Sequence, residues 1–285
     1  MNNIKIITDS TSDLSEEIIK KYDIAVVPLY VVFGEESYRD GVDITTAELY
    51  EKVDAVKMLP KTSAPTPVDF WTIFRGYIDA GKDIVYIGLS SQMSSTIQNA
   101  RLAAAEFPEG RIEVIDSANL STGIGLLVLK AADLAGQGAG VKEIAEKVKE
   151  YVPRVKTRFI INTLDYLYKG GRCTALESFV GGLFKIKPVV TVKEGKMTLE
   201  EKIRGKREKA LANMLENALL DREKMDEDRI FITHSQSAED AEYLRKELQS
   251  RLKVKEVLVT DAGCVISSHC GPNTVGILYI SKNID

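Results

Sequence analysis

Short apolar runs alternate with stretches of helical period through the first half of the chain. Residues 3–8 read as a strand, followed by the polar run DSTSD at 9–13 and a helix over 15–22. A second extended run, 24–33, contains Pro28 and leads into the turn-like Gly34-Glu35-Glu36. Thr45 with Glu48 forms a capping-box pattern that opens a helix. Residues 58–67 read as a loop rich in Pro, Ser and Thr, and a helix follows over 68–80. A strong strand pattern covers 83–89. Ser94 or Ser95 opens the next helix, which places Ile97, Ala100, Ala104 and Phe107 on one face. A strand over 111–115 and helices through 120–151 follow. This βαβα alternation predicts a parallel sheet with helices on both faces.

The second half has a different rhythm. Residues 157–164 read as a strand and run into the Gly-rich segment KGGRCTALESFVGGLF. Runs at 187–193 and 197–203 flank the turn Glu194-Gly195-Lys196, which predicts a hairpin. A helix follows with Leu211, Met214, Leu215, Ala218 and Leu219 on one face. After a strand at 229–233, another helix carries Ala241, Leu244, Leu248 and Leu252; strands at 254–260 and 274–280 close the chain. The expected architecture is an N-terminal α/β domain over 1–152 and a C-terminal α+β domain over 153–285 with a mixed or antiparallel sheet. The boundary is set near Val152-Pro153.

Composition narrows the functional classes. With 44% hydrophobic and 28% charged residues, the chain matches a globular protein and not a disordered one. A net charge of −4 offers no global attraction for nucleic acid or anionic membranes. The start, MNNIKIITDS, lacks the apolar stretch of a signal peptide, and no run approaches the roughly 18 residues of a membrane span. Three cysteines, Cys173, Cys264 and Cys270, form no C-x-x-C, which predicts free thiols in a reducing cytoplasm. Cys264, His269 and Cys270 could supply three zinc ligands, but their spacing fits no common zinc module.

The candidate chemistry lies in four segments rich in hydroxyls, DSTSD at 9–13, KTSAPTP at 61–67, LSSQMSST at 89–96 and SHCGPN at 268–273. In a parallel α/β sheet the first and third fall beyond the carboxyl ends of strands, where ligands bind. The helix start at Ser94 or Ser95 carries unpaired N–H groups and the positive end of a dipole, suited to a carboxylate or phosphate. The plainer alternative is capping, with Ser95 and Gln98 as a capping box. Thr62 and Ser63 read either as ligand hydroxyls or as turn residues bonded to nearby backbone. Asp9 and Asp13 are a candidate metal or catalytic pair, or they satisfy the helix that follows. His269 sits before the turn Cys270-Gly271-Pro272 as a candidate base or anion donor; His234, at a strand end, is the weaker candidate. Arg172 follows Gly170-Gly171 and could aim a guanidinium at an anion.

The chain has no G-x-S-x-G, no Walker A loop and no H-E-x-x-H, and Gly123 and Gly125 lack the third glycine of a dinucleotide fingerprint. This inventory suits holding an anion better than cleaving a bond.

Six segments in order, ITDSTSDL (7–14), KTSAPTP (61–67), GLSSQMSSTIQNA (88–100), VIDSANLSTGIG (114–125), LYKGGR (167–172) and GCVISSHCGPN (263–273), resemble the DegV family over essentially the whole chain. These are bacterial fatty-acid-binding proteins that serve fatty acid kinase. The resemblance implies two α/β domains with a long-chain fatty acid between them and no cofactor. It implies that the carboxylate is held by Thr62, Ser94, the backbone N–H of Ser95, and His269, with Ser63 and Arg172 in the head-group network. It implies that a separate ATP-using kinase, and not this protein, makes the acyl phosphate for phospholipid synthesis. Nucleic acid is not an expected partner, and transient membrane contact is left open. Ala64, Thr66, Ser95, Ile97, Cys270 and Asn273 depart from the usual family pattern, which bears on chain preference and kinase partnership more than on fatty acid binding. The apolar runs 159–161 and 179–184 are candidate tunnel walls, with core packing as the alternative. The competing functional reading is an enzyme or phospho-carrier using His269 with Cys270 or Ser94 on an acyl or phosphoryl group.

Overall fold

A computed structural model describes residues 3–172 and 186–284. Cys173 and the 179–184 run therefore lie outside the described residues. The first half contains β1 (Ile4–Asp9), α1 (Glu16–Lys21), β2 (Ala25–Val27), β3 (Tyr30–Phe33), β4 (Glu36–Arg39), α2 (Thr46–Val56) and β5 (Lys61–Ser63). It continues with α3 (Pro67–Asp79), β6 (Asp83–Gly88), α4 (Thr96–Ala104), β7 (Ile112–Asp116), α5 (Thr122–Gly136) and α6 (Val141–Tyr151). Strands β2, β1, β6 and β7 form, in that order, the parallel four-stranded sheet that the sequence rhythm predicts.

The run 24–33 is not one strand. Pro28, which has no N–H to donate, separates β2 from β3. Strand β3 leaves the parallel sheet and becomes the centre of a small antiparallel sheet, β4-β3-β5. Two strands of that sheet escaped the sequence reading. Strand β4 is the exposed polar edge ESYR, and β5 is three residues long inside the segment read as a loop. Thr62 therefore stands on a strand, paired with Val31.

The capping box at Thr45 and Glu48 is present. The one proposed at Ser95 and Gln98 is not, because Ser95 has ψ of 1° in place of the extended backbone a cap requires. Ser94 does that work, its Oγ accepting from Thr96 N–H at 3.3 Å.

After the 3-10 turn Val152–Arg154, the second half contains β8 (Val155–Ile160), α7 (Asp165–Lys169), β9 (Ile186–Lys193), β10 (Lys196–Arg204) and α8 (Arg207–Leu220). Next come β11 (Met225–Ser235), α9 (Ala238–Arg251), β12 (Glu256–Asp261), α10 (Cys264–Cys270) and β13 (Thr274–Ser281). Its mixed six-stranded sheet has the order β10-β9-β8-β13-β11-β12, antiparallel except for the parallel pair β11–β12. The turn at Glu194 and Gly195 has positive φ at both residues, the twist that suits a tight hairpin.

Helix α5 is apolar nearly all round and is buried from Thr122 through Leu129. It packs against β1 and β6 on one side and β8, β11 and β13 on the other. One hydrophobic core accordingly takes Val85 and Ile87 from the parallel sheet and Phe231, Leu278 and Ile280 from the mixed sheet. Gly123 and Gly125 serve this packing. A Cβ on Gly125 would lie 2.8 Å from Leu14 Cδ2.

Candidate functional site

A largely apolar cavity is walled by elements from both halves. Thr62 on β5 and Ser94 before α4 line it from the first half, and Phe159 on β8, His269 on α10 and Leu278 on β13 from the second. Leu29, Leu89, Met93 and Met197 add apolar surface.

The polar part centres on a hydrogen bond of 2.8 Å between Thr62 Oγ1 and His269 Nε2. His269 is not in a turn, as the sequence suggested, but in the last turn of α10. That helix is hard to read in CVISSHC because its start carries no capping side chain of its own. Burial, reinforced by the positive charge of Arg172, pushes His269 down to about 4, so the imidazole is neutral at physiological pH. Its Nδ1 is buried and makes no hydrogen bond among the described residues. A bare acceptor is the less costly orphan, so the tautomer with the proton on Nε2 is favoured. That N–H donates to Thr62 Oγ1 and leaves the Thr62 O–H free to donate into the cavity. Gly170 makes room for the ring, since a Cβ there would fall 2.4 Å from Nδ1.

Ser94 Oγ shares a 2.8 Å hydrogen bond with Thr96 Oγ1 while capping α4. Asn99 Nδ2 donates to Pro65 O at 2.8 Å and ties α4 to the segment that carries Thr62. Ser63 and Arg172 also line the cavity. Both are exposed, and Arg172 Nη1 donates to Gly170 O at 2.8 Å. Ser95 is exposed and lies outside the lining.

The remaining wall has hydroxyls that the sequence reading did not single out, and their hydrogen-bonding capacity is taken up within the fold. Thr233 Oγ1 bonds to Thr122 Oγ1 at 2.6 Å, and Ser235 Oγ to Tyr50 OH at 2.6 Å. Thr157 Oγ1 donates to Asn119 Oδ1 at 2.8 Å, and Ser121 Oγ to Asp13 at 2.5 Å. With these hydroxyls bonded away, the wall offers mainly methyl and methylene surface to a guest. No sequence signal distinguishes such residues, because the partners lie far along the chain. His234 is also on the wall, its Nδ1 accepting from Ser237 N–H at 3.5 Å. Of the two candidate tunnel runs, Phe159 lines the cavity, whereas Ile160 and Ile161 are core residues.

Asp9 and Asp13 are both bonded into the scaffold. Asp9 is fully buried and accepts from Tyr86 OH at 2.8 Å, Leu89 N–H at 3.0 Å and Thr11 N–H at 3.0 Å. Asp13 accepts from Ser121 and from Gly263 N–H. Among the described residues no group of three His, Cys, Asp or Glu side chains is placed to hold a metal ion. Burial pushes the Cys270 thiol up to about 12, which leaves it a protonated and weak nucleophile.

Fold and cavity together define a two-domain α/β protein with a largely apolar pocket and an uncharged polar pair at one part of its wall. The DegV family model, described as "Uncharacterised protein, DegV family", matches residues 3–282. A DegV domain-containing protein of Caldanaerobacter subterraneus subsp. tengcongensis is 36% identical, over 99% of this chain and 100% of that one. Among solved structures, a fatty-acid-binding DegV family protein from Thermus thermophilus has a TM-score of 0.91 at 34% identity, covering 98% of this chain and 99% of that one. A stearic acid-binding protein from Eubacterium ventriosum has a TM-score of 0.88 at 30% identity, with 98% of each chain covered. The chain belongs to the DegV family.

Proposed function

We propose that this protein binds a long-chain fatty acid in the cavity between its domains, taken as 1–152 and 153–285, and presents it to a separate kinase in the cytoplasm. The observation that carries this reading is the combination of a wall whose hydroxyls are bonded within the fold with the Thr62–His269 pair, which keeps a donor free. The Thermus and Eubacterium relatives, described as fatty-acid- and stearic-acid-binding, support it. The acid's carboxylate sits at Thr62, Ser94 and His269, with the Ser95 N–H, Ser63 and Arg172 at the periphery.

Burial of an acyl chain contributes about 0.8 kcal/mol per methylene, or about 11 kcal/mol gross for fourteen, before the costs of association. Each hydrogen bond to the carboxylate adds roughly 1.5–3 kcal/mol, much of it offset by desolvation. The tail therefore dominates affinity and the polar groups fix which end lies where. The competing enzyme reading draws no support from the site. His269 is neutral, its neighbour Cys270 is a protonated thiol, and among the described residues no carboxylate bonds the imidazole.

Extraction of the denatured, purified protein and mass spectrometry against a mock purification tests the reading. A stoichiometric intact long-chain fatty acid is expected, and adding a kinase with ATP should convert it to the acyl phosphate. An empty extract together with no uptake of added palmitate overturns the reading, and a covalent acyl adduct would favour the enzyme instead.

A further inference from the structure

Helix α10 is seven residues long, about 10 Å from end to end. Its N-cap is Gly263, which offers no side chain to the first N–H groups. They are satisfied from the other half of the molecule. Asp40 Oδ1 accepts from Cys264 N–H at 2.7 Å and Asp40 Oδ2 from Val265 N–H at 3.3 Å. Asp13 Oδ1 accepts from Gly263 N–H at 2.8 Å. Both carboxylates are buried, at 3% and 6% exposure, and no salt bridge to either is formed among the described residues. The fit is close, because a Cβ on Gly263 would lie 3.2–3.3 Å from oxygens of both aspartates.

Asp40 directly follows β4, and Thr62 lies on β5. Both strands pair with β3, whose Tyr30 stands opposite Arg39 on one side and Ser63 on the other. The small three-stranded sheet thus holds α10 at both ends, with Asp40 at its first N–H groups and Thr62 at His269 in its last turn. Among the described residues His269 Nδ1 makes no second hydrogen bond to fix the ring. Where the helix sits therefore decides where Nε2 points. On the opposite side the ring occupies the space that a side chain at position 170 would need.

We propose that Asp40, assisted by Asp13, is a positioning residue for His269. By capping α10 from across the domain interface it sets the register in which the imidazole meets Thr62 and the head group. The functional part of this rests on His269 as a carboxylate ligand; the structural part does not.

The chain has two histidines, so the imidazole signals of ¹⁵N-labelled protein are few and can be assigned with His269→Gln. Asp40→Asn can replace only one of two accepting oxygens, and Asp40→Ala replaces neither. In both variants the His269 titration should rise by about one pH unit or more as the ring loses its enclosed position. Palmitate affinity should fall roughly tenfold for the alanine variant and less for asparagine. Thr46→Val is the control. It removes the 2.9 Å bond from Thr46 Oγ1 to Ala262 O across the same interface, without touching the capped N–H groups. It should lower thermal stability and leave His269 unmoved.

An Asp40→Asn protein with lowered stability but wild-type His269 signals and affinity overturns the proposal, as does a Thr46→Val protein that moves His269 equally. The asparagine variant decides the matter if the alanine variant does not fold. Wild-type protein that takes up no fatty acid, with His269 still shifted in Asp40→Asn, would defeat the functional reading and leave the positioning role standing.

Discussion

The segments at 9–13 and 61–67 look alike in the sequence, each a few hydroxyl-bearing residues beside the end of a strand or helix. In the fold they have opposite fates. Asp9, Thr11, Ser12 and Asp13 are buried, and the two carboxylates accept from backbone N–H groups, Tyr86 and Ser121. Thr62 is only half-buried, lines the cavity and, among the described residues, bonds through its side chain to His269, so that a donor remains available. Buried polar groups are expected to be hydrogen-bonded. What separates scaffolding from a binding surface is hence the capacity left unused after folding. Charge follows the same division. Burial raises the carboxyls of Asp9, Asp13 and Asp40, and it lowers the imidazole of His269. In both places the less polar form gains, but only at the cavity is that neutral group placed to meet a guest.

The largest expected effect tests this division through stability. Asp9→Ala orphans the Leu89 and Thr11 N–H groups and the Tyr86 hydroxyl in a buried setting. It should cost about 3–5 kcal/mol in urea denaturation, or prevent folding. Thr62→Val keeps the shape and should cost under about 1.5 kcal/mol. Fatty acid binding should rank the other way among folded variants, with Thr62→Val weakened. If the two substitutions destabilise equally, unused capacity does not mark the binding surface.

The second test uses pH. His269 titrates near 4 in the folded protein and near 6.5 when unfolded. Between those values the unfolded chain binds a proton that the folded one refuses, so stability is full above pH 6.5 and declines as pH falls towards 4. The decline attributable to His269 is up to about 3 kcal/mol. The raised carboxyls act in the opposite sense. They bind protons in the folded state before the unfolded one does, and so gain stability as pH falls through their folded pKa values. Comparing wild type with His269→Gln removes their contribution. A difference that stays flat from pH 6.5 to 4 would show that the imidazole is not held in a desolvating environment.

The same contrast explains what the sequence could reveal. The parallel sheet and the hairpin at Glu194-Gly195 were legible because period and turn chemistry are local. The capping box at Thr45 and Glu48 is local too. Thr62, Ser94 and His269 entered through hydroxyl-rich segments and the family resemblance, and the fold brings all three to one cavity. Strands β4 and β5 were missed because their pairing with β3, not their composition, makes them strands. Helix α10 was missed because its cap residues, Asp13 and Asp40, are more than two hundred positions away. For the same reason nothing near Asp40 in YRDGVD announces its role.

The smallest effect sharpens the comparison most, because Ser94 stands between the two classes. Its hydroxyl caps α4 through a long bond of 3.3 Å to Thr96 N–H, yet it also lines the cavity. Thr96 Oγ1 is its second partner, at 2.8 Å. Ser94→Ala should therefore lower stability by no more than about 1 kcal/mol. Palmitate affinity should change within about threefold, since the tail supplies most of the binding free energy. The carboxyl resonance of ¹³C-labelled palmitate should nonetheless move if Ser94 is one of the donors that orient it, as proposed. A variant that binds no palmitate at all would mean that the head group, and not the tail, governs affinity. A carboxyl signal identical to wild type would instead assign Ser94 wholly to the helix cap.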